Sequence, residues 1–147
     1  MSASGHVSTS AFYELLPSSS INISSITVSP GDQLSAVINE ISSGVWDMTI
    51  TDTTNNQSFS LQVNYTSSNS SVEWVEEDPS YANGHLVPFD DFGTATFTNA
   101  STVSSGSTMN LSTASAQPIT LVSQSDQPIA TPSAITGSGA GFTVTHS

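Results

Sequence analysis

The sequence predicts an all-β protein, an antiparallel two-sheet β-sandwich of the jelly-roll or concanavalin-like kind. Three observations lead there. Apolar residues recur at period two, the spacing that lines one face of a strand. Turn signals such as Pro30-Gly31-Asp32, Asn55-Asn56 and Asn83-Gly84 interrupt the chain at short intervals. No segment sustains a helical period without β-branched or glycine interruptions.

Taken in order, residues 1–10 read as an N-terminal tail or strand remnant and residues 11–147 as a single domain, a length that suffices for one hydrophobic core. Ile21, Ile23, Ile26 and Val28 alternate with polar residues and slip phase at Ser24-Ser25, where a bulge is expected. A strand follows through Leu34, Ala36 and Ile38. Residues 45–52 and 58–65 flank Asn55-Asn56 as a hairpin, with Phe59, Leu61, Val63 and Tyr65 on one face. An acidic strand over 72–77 ends at Asp78-Pro79. Further strands are expected over 92–98, 119–122 and 142–145, and Gln127-Pro128 and Thr131-Pro132 mark edges or turns.

Charge narrows the function. The chain carries twelve acidic residues and no Lys or Arg, a formal charge of −12. Nothing could replace phosphate counterions, so nucleic acid and anionic lipid are excluded as partners. Acidification removes the mutual repulsion of the carboxylates and adds almost no positive charge, which suits an acidic external medium. No apolar run is long enough for membrane insertion, and MSASGHVSTS lacks the features of a signal peptide. Without cysteine there are no disulfides or thiolate sites. Six Asn-x-Ser/Thr sequons, at Asn22, Asn56, Asn64, Asn69, Asn99 and Asn110, favour an extracellular, glycosylated chain.

Several chemistries lack their residues. There is no phosphate-binding loop with lysine, no close histidine pair for zinc and no GxSxG elbow. Asp90-Asp91 has no EF-hand spacing, so no metal site is assigned, and no cofactor. His6, His85 and His146 lie far apart and read as solvent-exposed. What remains is SSVEWVEEDPS at residues 70–80. Strand alternation places Glu73, Val75 and Glu77 on one face and Trp74, Glu76 and Asp78 on the other. A carboxyl desolvated on an apolar face, with no cation to offset the burial, stays protonated in mild acid and can act as general acid and base. The same residues also fit a solvated edge strand whose charges block aggregation.

VEWVEEDPS, followed after a short loop by LVPFDDFGTATFTNAS, resembles the signature of the glutamic peptidases, the eqolisin family, whose members read like AEWIVE and LxPFADFGTVTFTNA. SAFYELLP at residues 10–17 is similar to the family block YAWYEWYP, and the resemblance continues through ITVSPGDQLSAVI and the C-terminal residues 119–147. It implies two packed sheets with a cleft, and an acid-active endopeptidase. In that family a glutamate and a glutamine activate water against the peptide carbonyl, and the glutamine amide stabilises the oxyanion.

The match assigns the catalytic glutamate to Glu77. Glu73, Glu14, Phe12 and Leu16 become cleft or substrate-binding residues, and a peptide is the implied substrate. Three departures stand out. Glu76 replaces an Ile or Val, and Phe12 and Leu16 replace Trp and Tyr. The family's catalytic glutamine lies upstream of the aromatic block, where this sequence has no glutamine. The chain therefore reads as an N-terminally shortened sandwich, incomplete alone, completed by a light chain or by homo-oligomer formation through exposed strand edges. The alternative is a non-catalytic extracellular structural or self-assembling sandwich of the same descent.

Overall fold

A computed structural model describes residues 8–78, 80, 86, 87 and 89–147. His6, His85, the Asn83-Gly84 loop signal and most of the expected tail lie outside the described residues. The described residues contain no helix, and every strand pairing is antiparallel. The chain divides into two compact units, residues 1–69 and 70–147.

In the first unit β1 (Phe12–Tyr13) pairs with β2 (Ile21–Asn22), and β3 (Leu34–Ser42), β4 (Val45–Asp52) and β5 (Gln57–Asn64) form a three-stranded sheet in that order. The expected strand through Val28 is only the short β2. The chain turns at Ser24-Ser25, the point where the apolar phase slips. Ile23 and Ile26 are buried on either side of that turn with Ala11, packed against Tyr13, Val28, Ile50 and Phe59, and the rings of Tyr13 and Phe59 stack 6.1 Å apart. The phase slip therefore serves a core rather than a bulge.

The β4–β5 hairpin follows its sequence pattern. Phe59, Leu61 and Val63 are half-buried and the residues between them exposed. On the polar face, opposed pairs Thr49–Ser60 and Thr51–Ser58 join hydroxyls at 3.0 and 3.1 Å, the cross-strand contact expected of facing Thr and Ser. The turn is built around Asp52, the one fully buried polar or charged side chain among the described residues. Its Oδ1 accepts from the amides of Thr54 and Asn55 at 2.9 and 3.1 Å, and its Oδ2 from Asn55 Nδ2 at 2.7 Å. Asn55 Nδ2 also reaches Asp32 Oδ2, which accepts from the Ser29 amide, so one carboxamide links two turns. Burial pushes the Asp52 carboxyl up. The donors of Asn55 and Thr54 outweigh it and hold the group below its ordinary 3.8.

β3 behaves differently. It is an end strand, and all nine of its residues are exposed. Leu34 and Ile38 lie on one face and Val37 on the other, with Ile38 69% exposed.

In the second unit β6 (Thr94–Phe97), β9 (Leu121–Val122), β10 (Pro128–Pro132) and β11 (Phe142–His146) form a sheet ordered β6-β11-β10-β9, beside a separate hairpin of β7 (Ser101–Ser104) and β8 (Ser107–Asn110). Pro128 and Pro132, read as edge or turn markers, are instead the first and last residues of an inner strand. Proline is tolerated there because a missing N–H at a strand end, or at the bulge after Pro128, removes little of the ladder. Gly139, at φ +75°, lies so close to Asn110 that a Cβ there would stand 2.8 Å from its Nδ2.

Two stability outcomes follow. Gly139→Ala should cost roughly 1–3 kcal/mol in denaturant unfolding, from a positive φ combined with that clash. A depressed carboxyl contributes stability that is present above its ordinary 3.8 and lost as pH falls through the lowered value. Asp52→Asn should accordingly lower Tm near neutral pH and flatten the fall of Tm in acid; a Tm series over pH checks both.

Candidate active site

Residues 71–78 are the core of the candidate site, and they differ from the sequence expectation in lacking a strand ladder and in covering Glu76 rather than Glu77. They belong to no strand among the described residues, although the alternation is present. Glu73, Val75 and Glu77 are exposed, whereas Trp74, Glu76 and Asp78 are half-buried. The period of two thus survives without a ladder among the described residues. Val72 and Trp74 help line a recess of about 220 Å³ with Thr102, Leu111 and Ala116. The outward side presents two carboxylates separated by Val75, itself 58% exposed.

The inward side carries the electrostatic strain. Burial raises the Glu76 carboxyl above its ordinary 4.5. Asp78 Oδ1 is buried without a hydrogen-bond partner among the described residues. Both stand on the face where the family motif is apolar at the Glu76 position. Past this segment Ser80 bridges Leu86, and the chain reaches Phe89 and Phe92.

In the first unit, Phe12, Glu14 and Leu16 alternate outward along the chain around Tyr13, and Phe12 is 57% exposed. The three residues expected to line a cleft therefore share one exposed side of β1 and its continuation. Glu73 and Glu77 share the exposed side of one segment, and Phe12, Glu14 and Leu16 that of another, each set within its own unit.

One cluster was not legible in the sequence. His146 is half-buried rather than exposed: its ring stacks on Phe89 at 5.8 Å, meets Phe92 edge-on at 5.9 Å, and places Nδ1 3.6 Å from Asp91 Oδ1. The cause is the β6–β11 ladder, extended by the His146 amide donating to the Gly93 carbonyl at 2.9 Å. Sequence distance hid this. The aromatic residues flanking Asp90-Asp91 are the one local hint.

Three glutamine side chains bond to backbone groups. Gln57 Oε1 accepts from the Thr27 amide at 2.7 Å, and Gln117 and Gln127 donate to the carbonyls of Ser115 and Ser125. The Gln117 and Gln127 amides thus donate to nearby backbone, whereas Gln57 is engaged through its oxygen with a residue distant in sequence.

A sequence model of the peptidase A4 family matches residues 1–146. The chain belongs to the peptidase A4 family. It is 34% identical over 147 residues to aspergillopepsin-2 of Aspergillus niger, covering 97% of this chain and 49% of that protein. It thus spans about half the length of this relative. Among solved structures it is similar to aspergilloglutamic peptidase from Aspergillus niger, with TM-score 0.81 and 32% identity over 97% of this chain and 82% of that one. It is also similar to scytalido-glutamic peptidase, solved with a transition state analog inhibitor, with TM-score 0.78 and 26% identity over 95% and 70% of the two chains. The antiparallel β-sandwich expected from the sequence is the fold of this peptidase A4 member, and the resemblance to glutamic peptidases holds.

Glu76 is the departure from the family pattern that can be tested directly. A carboxyl whose folded value is raised contributes stability below its ordinary 4.5, and that contribution is lost as pH rises through the elevated value. Glu76→Val should therefore raise Tm near pH 7, and the gain should shrink to nothing at about pH 3, where the wild-type carboxyl is neutral; thermal melts at both values decide.

Proposed function

We propose that this peptidase A4 chain forms the larger part of an acid-acting glutamic endopeptidase in which Glu77 is the general acid and base. One observation carries the reading. The two carboxylates that match the family motif, Glu73 and Glu77, are the exposed ones, and the carboxylate that departs from it, Glu76, is turned inward. The segment thus separates the groups available to a substrate from the group that is not.

In this mechanism the Glu77 carboxylate takes a proton from a water that attacks the peptide carbonyl carbon. The carbonyl oxygen, now negative, is held by an amide N–H, and the protonated Glu77 passes its proton to the departing amine. Glu73 stands on the same outward side and, with Glu14, Phe12 and Leu16, is assigned to substrate contact. Gln117 and Gln127 donate to nearby backbone carbonyls, and Gln57 accepts from the Thr27 amide. All six glutamines lie downstream of the aromatic block that the family's catalytic glutamine precedes, so the amide donor is assigned to a glutamine-bearing light chain. A strand added beside residues 71–78 would supply the missing ladder and hold Glu77 in one geometry. An extracellular, acidic setting fits a chain whose carboxylates lose their mutual repulsion as they protonate.

A second reading is favoured by β3, whose apolar residues are exposed on both faces of an end strand. It is an extracellular structural protein that assembles through such edges and performs no hydrolysis.

Peptide hydrolysis near pH 3–4, combined with native mass measurement, separates the two. The proposal expects a glutamine-bearing partner in the native assembly and cleavage that falls about 10²–10⁴-fold in Glu77→Gln. Unchanged cleavage in Glu77→Gln removes Glu77 from the mechanism. A homopolymer without hydrolysis supports the structural reading.

A further inference from the structure

Asn99 differs from the other five sequons in its surroundings. It is exposed, sits at φ +56° in the turn between β6 and β7, and begins the sequence Asn99-Ala100-Ser101. Two residues before it stands Phe97. At the same offset the other sequon asparagines have Ser20, Thr54, Gln62, Ser67 and Thr108. Phe97 faces Phe142 across the β6–β11 ladder, and the two rings stack 4.7 Å apart at 5°.

This aromatic pair forms part of a recess of about 250 Å³ that Asn99 itself lines, together with the hydroxyl-bearing Thr136 and Ser138. Those two hydroxyls lie 3.0 Å apart. The volume is small beside the ~300–1,000 Å³ of drug-sized sites, and its chemistry is an apolar aromatic wall with hydroxyls nearby. A pyranose has the complementary chemistry, with C–H groups on one face and hydroxyls at its rim. Asn99 also occupies the left-handed region that asparagine tolerates in turns, so the turn alone explains an asparagine there. It does not explain the aromatic recess or the serine two residues on.

By contrast, Asn110 is half-buried and locked, its Oδ1 accepting from the Thr113 amide at 2.9 Å and its Nδ2 donating to the Ser138 carbonyl at 3.5 Å. Asn69 Nδ2 donates to Glu40 Oε2 at 3.4 Å. Neither offers a free carboxamide.

We propose that Asn99 is an N-glycosylation site whose first sugar packs in the Phe97–Phe142 recess. The donor is a lipid-pyrophosphate-linked oligosaccharide presented by a transferase. Asn99 Nδ2 bonds to the anomeric carbon, the carbon–oxygen bond to pyrophosphate breaks with its electron pair leaving on the phosphate oxygen, and the displaced amide proton passes to a base. Ala100 is buried and its amide donates to the Ala140 carbonyl at 2.8 Å. The turn therefore holds its shape while the exposed Asn99 side chain is modified. The sugar then shields apolar ring surface that is otherwise wet.

The inference draws on the extracellular setting proposed above, and the test separates the two. The full chain is secreted from a glycosylating eukaryotic host behind a supplied signal, so that its natural location does not affect the result. Glycopeptide mass spectrometry should find Asn99 the most occupied of the six sequons. Trimming to a single N-acetylglucosamine should retain a Tm gain of about 2–4 °C over unglycosylated Asn99→Gln, a size typical of one aromatic contact in a chain of this length. Phe97→Leu should abolish that gain. If Phe97→Leu does not fold, the wild-type glycoprotein still decides, because ring-current shifts of the first sugar's protons are expected upfield. An empty Asn99 beside occupied sequons overturns the site. A Tm gain that persists in Phe97→Leu, or unshifted sugar protons, overturns the stacking.

Discussion

A chain without lysine or arginine has only histidine side chains to set against its carboxylates, and the two units accommodate Asp52 and Glu76 in contrasting ways. In the first, neutral donors stand in for a cation. Asp52 is fully buried yet held ionised by the Asn55 side chain and two amides, and Asp32 accepts from the same carboxamide and from the Ser29 amide. Several N–H groups aimed at one carboxylate offset burial because each is a charge-assisted bond in a low-dielectric setting. In the second unit the inward side of residues 71–78 has no comparable set of donors among its described neighbours. Glu76 is pushed toward its neutral form, and Asp78 leaves an oxygen unpaired among the described residues. The same lack of cations yields one carboxyl held down and another pushed up.

That contrast bears on chemistry. Among the described residues the acidic segment keeps a strand's alternation without a strand's ladder, so its side chains are sorted but no described strand fixes its backbone. General acid–base catalysis needs a carboxyl held within hydrogen-bond reach of water and substrate, a tighter requirement than exposure. The proposed function supplies that hold through a partner strand, and β3, an end strand exposed along its whole length, offers an open edge in the first unit. On acidification the net repulsion that would oppose such an association fades.

Much of this was legible in the residues. The hairpin over 45–64 follows from period-two apolar residues around Asn55-Asn56, and the inward and outward sets of residues 72–78 follow from alternation alone. β10 was hidden by its prolines, which read as breakers unless a strand begins and ends on them. The β7–β8 hairpin has Val103 and Met109 as its only apolar residues among Ser, Thr and Asn, so no apolar period announces it, although Ser105-Gly106 with both φ positive is a turn signal. The acidic segment's lack of a ladder could not be read because pairing depends on neighbours distant in sequence. His146 was misplaced for the same reason.

The central claim is that environment alone, without basic side chains, drives carboxyls of this chain in opposite directions and so separates the inward Glu76 from the outward Glu77. Carbon-detected NMR titration of the carboxyl groups tests it most directly. The account predicts that Glu76 titrates above 4.5 and Asp52 below 3.8 in the same sample. Glu76 titrating at or below its ordinary value would contradict it, since the carboxyl would then not be desolvated on the covered side of the segment.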